Sequence, residues 1–251
     1  MITEGKNYQS CCKISVGIDP SINSTGVCIF RFTGQTYSVL EYHCIGYKPS
    51  KTTLDIYRKN SIVFHDYGKD TSKPVLYADK EKAKTENLMK SASVLRSILE
   101  DTVKKYGAID CVTMEGISYG STSGSSLVDL AGLNFLYRDT ILKVCTNLVI
   151  ASPMEIKKFA VGNGGVDKDV MIHVWKKCEP IDIEEDSKAK VDDIADSYFM
   201  ALYGMVSISK EFETCLILPK ITIEKKCKKS KKEKTQEIPQ EVLENYQELM
   251  F

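Results

Sequence analysis

Residues Lys13 to Phe32 read Lys13-Ile-Ser-Val-Gly-Ile-Asp19, then Pro20-Ser-Ile-Asn-Ser-Thr-Gly26, then Val27-Cys-Ile-Phe-Arg-Phe32. β-branched and aromatic residues dominate both arms, and a polar Pro/Asn/Ser/Gly stretch joins them. The pattern predicts a buried strand over Ile14–Asp19, a tight turn, and a second strand over Val27–Phe32 running back. The first strand ends in a carboxylate. Burying an unpaired charge is very unfavourable, so Asp19 must be paired, hold a cation, or lie at the rim of a cleft.

Working outward, Tyr37–Tyr47 alternates and is rich in β-formers, so a third strand follows the Thr33-Gly34-Gln35 turn. Three strands joined by short turns imply an antiparallel meander. Lys48 to about Lys84 lacks a clear period and reads as an inserted loop or small excursion. Leu88, Ala92, Leu95, Ile98, Leu99 and Val103 then recur at three and four, predicting a helix over Thr85–Tyr106 that stops at Gly107. Ile109–Glu115 is a second buried strand ending in a carboxylate.

A Gly/Ser-rich loop, Gly116 to Ser126, leads into a helix over Leu127–Leu142. Asn147–Ala151 is a short apolar strand, and Ser152-Pro153 opens another helix, since proline suits a first helical turn. Gly162-Asn-Gly-Gly165 interrupts before a helix over Asp167–Lys177, and the acidic Cys178–Lys188 reads as loop. Ile194, Ala195, Tyr198, Phe199, Ala201, Leu202 and Met205 mark a final core helix over Val191–Ile208. The expected fold is α/β, a mixed five-stranded sheet with helices on both faces.

At 251 residues, with 43% hydrophobic and 27% charged, the chain has enough core for one large domain with additions. The expected division is a domain over 13–208 with the insertion at 48–84, then a C-terminal extension over 209–251. In that extension the lysine run Lys225–Lys234 is either a solvated linker or a mobile phosphate-gripping arm. Ile238–Phe251 has apolar residues at helical spacing, as in a short helix that docks on its own domain or on a partner.

The formal net charge is zero, so overall charge gives no hint of nucleic acid. The nine cysteines include no CxxC pair and are expected to be reduced thiols of an intracellular protein. No window approaches the ~18 apolar residues of a membrane span, and the first ten residues lack the apolar run of a secretory signal, so no membrane location is expected.

Three places put acids where one end of a sheet could gather them: Asp19, Glu115, and Asp192-Asp193-Ile-Ala-Asp196 at the start of the last helix. Asp193 and Asp196, three apart, face the same way, with Asp192, four from Asp196, as the alternate. Each site alone has a structural explanation too, since helix N-termini favour negative charge. Together they are different. Like charges ~4 Å apart repel by about 4 kcal/mol at an effective dielectric of about 20, so a converging set is tolerable only with cations. Hard oxygen ligands select Mg²⁺ or Mn²⁺, and a two-metal set serves in-line phosphoryl displacement. His43, His65 and His173 are isolated in the sequence and offer no competing softer site.

The combination Gly17-Ile-Asp19-Pro20, Thr25-Gly26, Met114-Glu115 and Val191-Asp192-Asp193-Ile-Ala-Asp196-Ser-Tyr resembles the RuvC family of Holliday junction resolvases, of the ribonuclease H-like fold. Two further stretches agree: Ser152-Pro153 through Lys157-Lys158 and Gly162-Asn-Gly164 to Lys168, and the helix with Ser126-Leu127 and Ala131-Gly132. The resemblance covers roughly 13–47 and 85–208. It implies Asp19, Glu115, Asp193 and Asp196 as catalytic metal ligands for two ions, Lys157 and Lys168 (with Lys158 beside them) at the scissile phosphate or DNA backbone, and a homodimer acting on four-way junctions.

Departures are informative. Ser21 stands where the family often has glycine. Bacterial members carry a junction-probing aromatic three residues after the glutamate; here that position is Ser118, with Tyr119 one further on. The 48–84 stretch and the tail have no counterpart, which points to a divergent, viral or phage-type member. Two other classes share parts of the pattern. Actin-like and sugar-kinase ATP-binding folds also open with a strand, an Asp and a Thr-Gly turn, but need more glycine-rich loops than the one at Gly162–Gly165. A catalytically silent branched-DNA-binding protein would not need all four acids.

Overall fold

The computed structural model describes residues 12–117, 124–184 and 191–219. In chain order these form β1 (Lys13–Asp19), β2 (Ser24–Phe32), β3 (Tyr37–Gly46), α1 (Lys51–Lys59), β4 (Ile62–Asp66), α2 (Tyr77–Tyr106), β5 (Cys111–Glu115) and α3 (Gly124–Leu142). They continue as β6 (Leu148–Ala151), α4 (Pro153–Val161), α5 (Lys168–Cys178), α6 (Asp192–Ile208) and α7 (Lys210–Cys215). One sheet runs in the order β4-β3-β2-β1-β5-β6. β1, β2 and β3 are the antiparallel meander, while β5 joins β1, β6 joins β5 and β4 joins β3 in parallel. The β3-β2-β1-β5-β6 part, with helices on both faces, is the ribonuclease H-like arrangement.

The sheet has six strands rather than the expected five. The difference lies in the stretch expected as a loop, which instead forms α1, β4 and the first turns of α2. Ser50 caps α1 by accepting from the Thr53 amide, Tyr57 of α1 is buried, and β4 pairs along the free edge of β3. Only five residues of β4 pair, and their burial does not alternate cleanly, so the periodic signal was weak. The folded part also continues past Ile208, because Phe212 of α7 is fully buried with its ring edge-on to Phe30, Phe32 and Tyr37.

Strand alternation sorts β1 into two faces. Ile14, Val16 and Ile18 join Leu95 and Leu99 of α2 and Tyr137 and Ile141 of α3 in one core. Ser15, Gly17 and Asp19 face α6. The same alternation in β5 sends Val112 and Met114 to the α2–α3 core, and Cys111, Thr113 and Glu115 to α6. Because β1 and β5 are parallel with Ile18 opposite Met114, their terminal acids are neighbours on the α6 face.

α6 is apolar on nearly all sides, as befits a helix enclosed by protein, and it lies against β1, β2 and β5. Its backbone comes unusually close. A Cβ at Gly17 would sit 2.0 Å from the Ser197 carbonyl oxygen, and one at Gly26 would sit 2.0 Å from that of Asp193. Neither obstacle is a flexible side chain. Gly17→Ala and Gly26→Ala should therefore each destabilise the fold by about 2 kcal/mol or more, read as a lower denaturant midpoint at unchanged slope. Unchanged midpoints would mean that α6 can move away without loss.

Candidate active site

The turn from Pro20 to Asn23 is closed by Thr25. Its hydroxyl donates to the Ser21 carbonyl (2.9 Å) and accepts from the Ser21 amide (3.1 Å). The same oxygen lies 3.0 Å from the Tyr137 hydroxyl, which lies 2.7 Å from that of Ser91. The turn after Asp19 is thus fastened to α2 and α3. On the other side, Gly26 lets the start of α6 meet β2, which delivers Asp193 and, one turn on, Asp196. Glu115 is steadied through its own backbone, where Asn134 of α3 donates to its carbonyl at 2.9 Å.

Asp19, Glu115, Asp193 and Asp196 accordingly line one open cleft of about 510 Å³ at the end of the sheet. Lys157 of α4 and Lys168 of α5 form part of its wall, and Pro20 to Asn23 form another. Burial raises the Asp19 carboxyl well above the usual range, and the charges of Glu115, Asp193 and Asp196 add to the shift. Glu115 is raised mainly by burial, offset in part by a hydrogen bond shared with Asp19. Asp193 is pushed up to about 7 by burial and then by Asp192, and Asp196 to about 7 by burial and then by Glu115. The cleft holds more negative charge than its two lysines offset.

Two features bear on whether a metal fits. Asp196 Oδ1 is buried and has no hydrogen-bond partner, an expensive state for a carboxylate oxygen. The donor set is all carboxylate oxygen, which suits a hard divalent cation. Among the described residues no three His, Cys, Asp or Glu side chains are gathered tightly enough to hold a metal ion as they stand. The donors for a cation are therefore present in one cleft, but not a closed cage.

The remaining expected residues are distributed unevenly. Asp192 does not join the four acids in lining the cleft; it forms an ion pair with Lys168. Lys168 is raised, burial opposing and the Asp192 hydrogen bond outweighing it. Lys157 donates to the Val166 carbonyl at 2.8 Å and so ties α4 to the connection before α5. Lys158 is exposed on α4 and does not line the cleft. Ser118 and Tyr119 lie outside the described residues, as do the lysine run and the terminal segment 238–251.

The sequence reading missed Ser24, whose hydroxyl donates to Asp193 Oδ2; a serine in a Ser/Asn turn carries no signal of a partner 169 residues away. Asn134 was a visible clue, being a polar residue on an otherwise apolar helix face. Gly162-Asn-Gly-Gly165 lies between α4 and α5, with Gly162 closing α4 at φ 77°, and is not at a strand end. The described cysteines are free thiols, and among the described residues no helix is long and apolar enough to cross a membrane.

No family model and no curated protein matches this chain. Among solved structures it is similar to Thermus thermophilus RuvC in complex with a Holliday junction substrate, at 12% identity and a TM-score of 0.45 over 75% of this chain and 90% of that one. A second Thermus thermophilus RuvC structure gives 10% identity and 0.47 over the same shares. An Aquifex aeolicus member of the Ppx/GppA family gives 8% and 0.32 over 66% of this chain and 41% of that one. At these values none of the likenesses assigns an activity.

The raised carboxyls make a signed prediction. Unfolded carboxyls titrate near 4, so between about pH 4 and 7 the folded state holds protons that the unfolded state has released. Stability from Asp193 and Asp196 is full below about pH 4 and is lost as the pH rises through about 7. His43, pushed down to about 4 mainly by burial, acts in the opposite direction. The readout is therefore a difference: without divalent cations, Asp193→Asn/Asp196→Asn should gain melting temperature over wild type as the pH rises from 5 to 8. A constant difference would contradict the shifts.

Proposed function

We propose that this chain is a divalent-cation-dependent, structure-selective DNA endonuclease that hydrolyses phosphodiester bonds at four-way (Holliday) junctions or related branched DNA. One observation carries the reading: Asp19, Glu115, Asp193 and Asp196 share a cleft with two lysines at the end of a ribonuclease H-like sheet. Asp19 and Glu115 would hold one Mg²⁺ between them, and Asp193 and Asp196 a second, with Mn²⁺ able to substitute. Such a pair of ions supplies an activated water and stabilises the leaving oxygen of an in-line displacement.

The chain's own residues supply the rest. Asp193 and Asp196, raised as they are, would have to release their protons to hold cations, so binding of the cations would be favoured as the pH rises. Ser24 Oγ orients Asp193, and the orphaned Oδ1 of Asp196 gains a partner. Lys168 exchanges Asp192 for a DNA phosphate, which a mobile point charge can do. Lys157 steadies the wall beside it, and the exposed Lys158 extends the phosphate track. Ser118 and Tyr119, three and four residues after Glu115, are assigned to contact with unstacked bases at the branch.

Homodimer formation is supported by Val128, Phe135 and Leu142 of α3, seven residues apart and 69%, 60% and 50% exposed. A stripe of this kind fits a second copy. The domain assignment that accompanies the reading is a nuclease domain over 13–208 with an added α1–β4 element and with α7 packed on it, followed by an extension that contacts DNA or a partner. The added element fits a divergent, viral or phage-type resolvase.

Asp19→Asn should lower cutting of a synthetic four-way junction in Mg²⁺ by roughly a hundred- to a thousand-fold or more, while gel-shift binding of that junction is largely kept. Undiminished cutting would remove the assignment. Titrating Mg²⁺ and Mn²⁺ against four-way, flap, Y and RNA–DNA substrates would rank the substrates, and ATP hydrolysis without DNA would favour the actin-like reading instead.

A further inference from the structure

Beside the acidic cleft, at the same end of the sheet, is a second cavity of about 280 Å³ that the chemistry above leaves unused. Asn23 lines both spaces. Ser24, on the wall of the second, donates to Asp193 of the first. The two are therefore neighbours along one edge, and what occupies one can continue into the other.

The second cavity is lined by three aromatic rings and a cation. Tyr47 follows β3, Tyr57 comes from α1 and Phe64 from β4. Tyr57 is buried, whereas Tyr47 and Phe64 are half-buried. The Tyr57 and Phe64 rings are 6.3 Å apart and tilted by 32°. At the mouth, the Lys48 ammonium lies 5.0 Å and the Lys69 ammonium 5.7 Å from the Tyr47 ring centre. Lys69 also donates to Asn23 Oδ1 at 3.1 Å, fastening the residue common to both cavities.

Lys48 has a left-handed backbone, φ 40°. That conformation is uncommon for a residue with a side chain, and the following Pro49 restricts its backbone further. Strain of this kind persists where the surroundings hold it, and it recurs at ligand clamps. Here it accompanies an ammonium held against an aromatic face beside a nuclease-like cleft.

We propose that this cavity takes one unpaired nucleotide of the DNA strand that runs through the acidic cleft, its base stacked on Tyr47 and Phe64 and its phosphate held by Lys48 and Lys69. The inference rests on the endonuclease reading and adds a second place for an unpaired nucleotide to the one assigned there to Ser118 and Tyr119. Aromatic faces accept any base, and lysines follow the backbone without reading sequence. The space, about 280 Å³, is large enough for a single base. A nucleotide reaches it only where the strand has left the duplex, as at a branch point, and least costly where the base is already unpaired. Part of the selection for branched over continuous DNA then comes from this pocket, to which the α1–β4 element contributes Tyr57 and Phe64.

The test uses full-length Asp19→Asn protein in EDTA and a four-way junction carrying 2-aminopurine at successive nucleotides around the branch. Fluorescence at one position should be quenched on binding, because stacking quenches this base. Tyr47→Leu with Phe64→Leu should restore the fluorescence and weaken junction binding by about five- to a hundred-fold, while Tyr47→Phe keeps the quenching. Lys48→Ala, at an exposed position, should weaken binding and shallow its salt dependence, and it carries the test if the Leu variants do not fold. A junction that wild-type protein binds and cuts, with no quenched position or with quenching and affinity indifferent to these variants, overturns the pocket and leaves the endonuclease reading intact. Branched DNA that wild-type protein neither binds nor cuts in Mg²⁺ or Mn²⁺ overturns both.

Discussion

Everything at the acidic end of this protein depends on how near the backbone of α6 can come to β1 and β2. Gly17 and Gly26 leave no side chain between the helix and the sheet; a Cβ at either would press on a carbonyl oxygen 2.0 Å away. The first turn of α6 can then lie beside the end of β1. Without that approach Asp193 and Asp196 would stand off from Asp19 by the thickness of a side-chain layer.

The approach creates an electrostatic problem that the rest of the architecture maintains. Two parallel strands end in acids on one face, and a helix brings two more. Burial and mutual repulsion raise all four, and one oxygen of Asp196 is left without a partner. A protein selected for stability alone would replace such a group with apolar residues of similar volume. Thr25, Asn134 and Ser24 instead fix the turn, the Glu115 backbone and the Asp193 carboxyl. Fixed orientation of that kind is what the proposed cation site would require.

Around this centre, α1, β4 and α7 occupy the outer parts of the fold. α1 and β4 add an edge strand and a helix to the meander, and the new walls enclose an aromatic cavity adjoining the cleft. α7 seals the far end of α6 with Phe212 against Phe30 and Phe32.

The sequence by itself determined the order of most elements, the meander, the two strands ending in acids and the helix opening on Asp192-Asp193. Each rests on a local signal: runs of β-formers in β1 and β2, alternation in β3, three-and-four spacing in α2, apolar residues marking α6, and Ser152-Pro153 at the start of α4. What only the tertiary structure decided was long-range. The sixth strand arises because β4 finds the open edge of β3, and a five-residue strand with mixed burial does not announce a partner. Ser24 meets Asp193, and Lys168 pairs with Asp192 while Lys157 turns to Val166, by contacts between segments far apart in sequence. Asp19, a charge with no tolerable place in a core, could be recognised from its own strand. The company it keeps is set by how closely α6 packs.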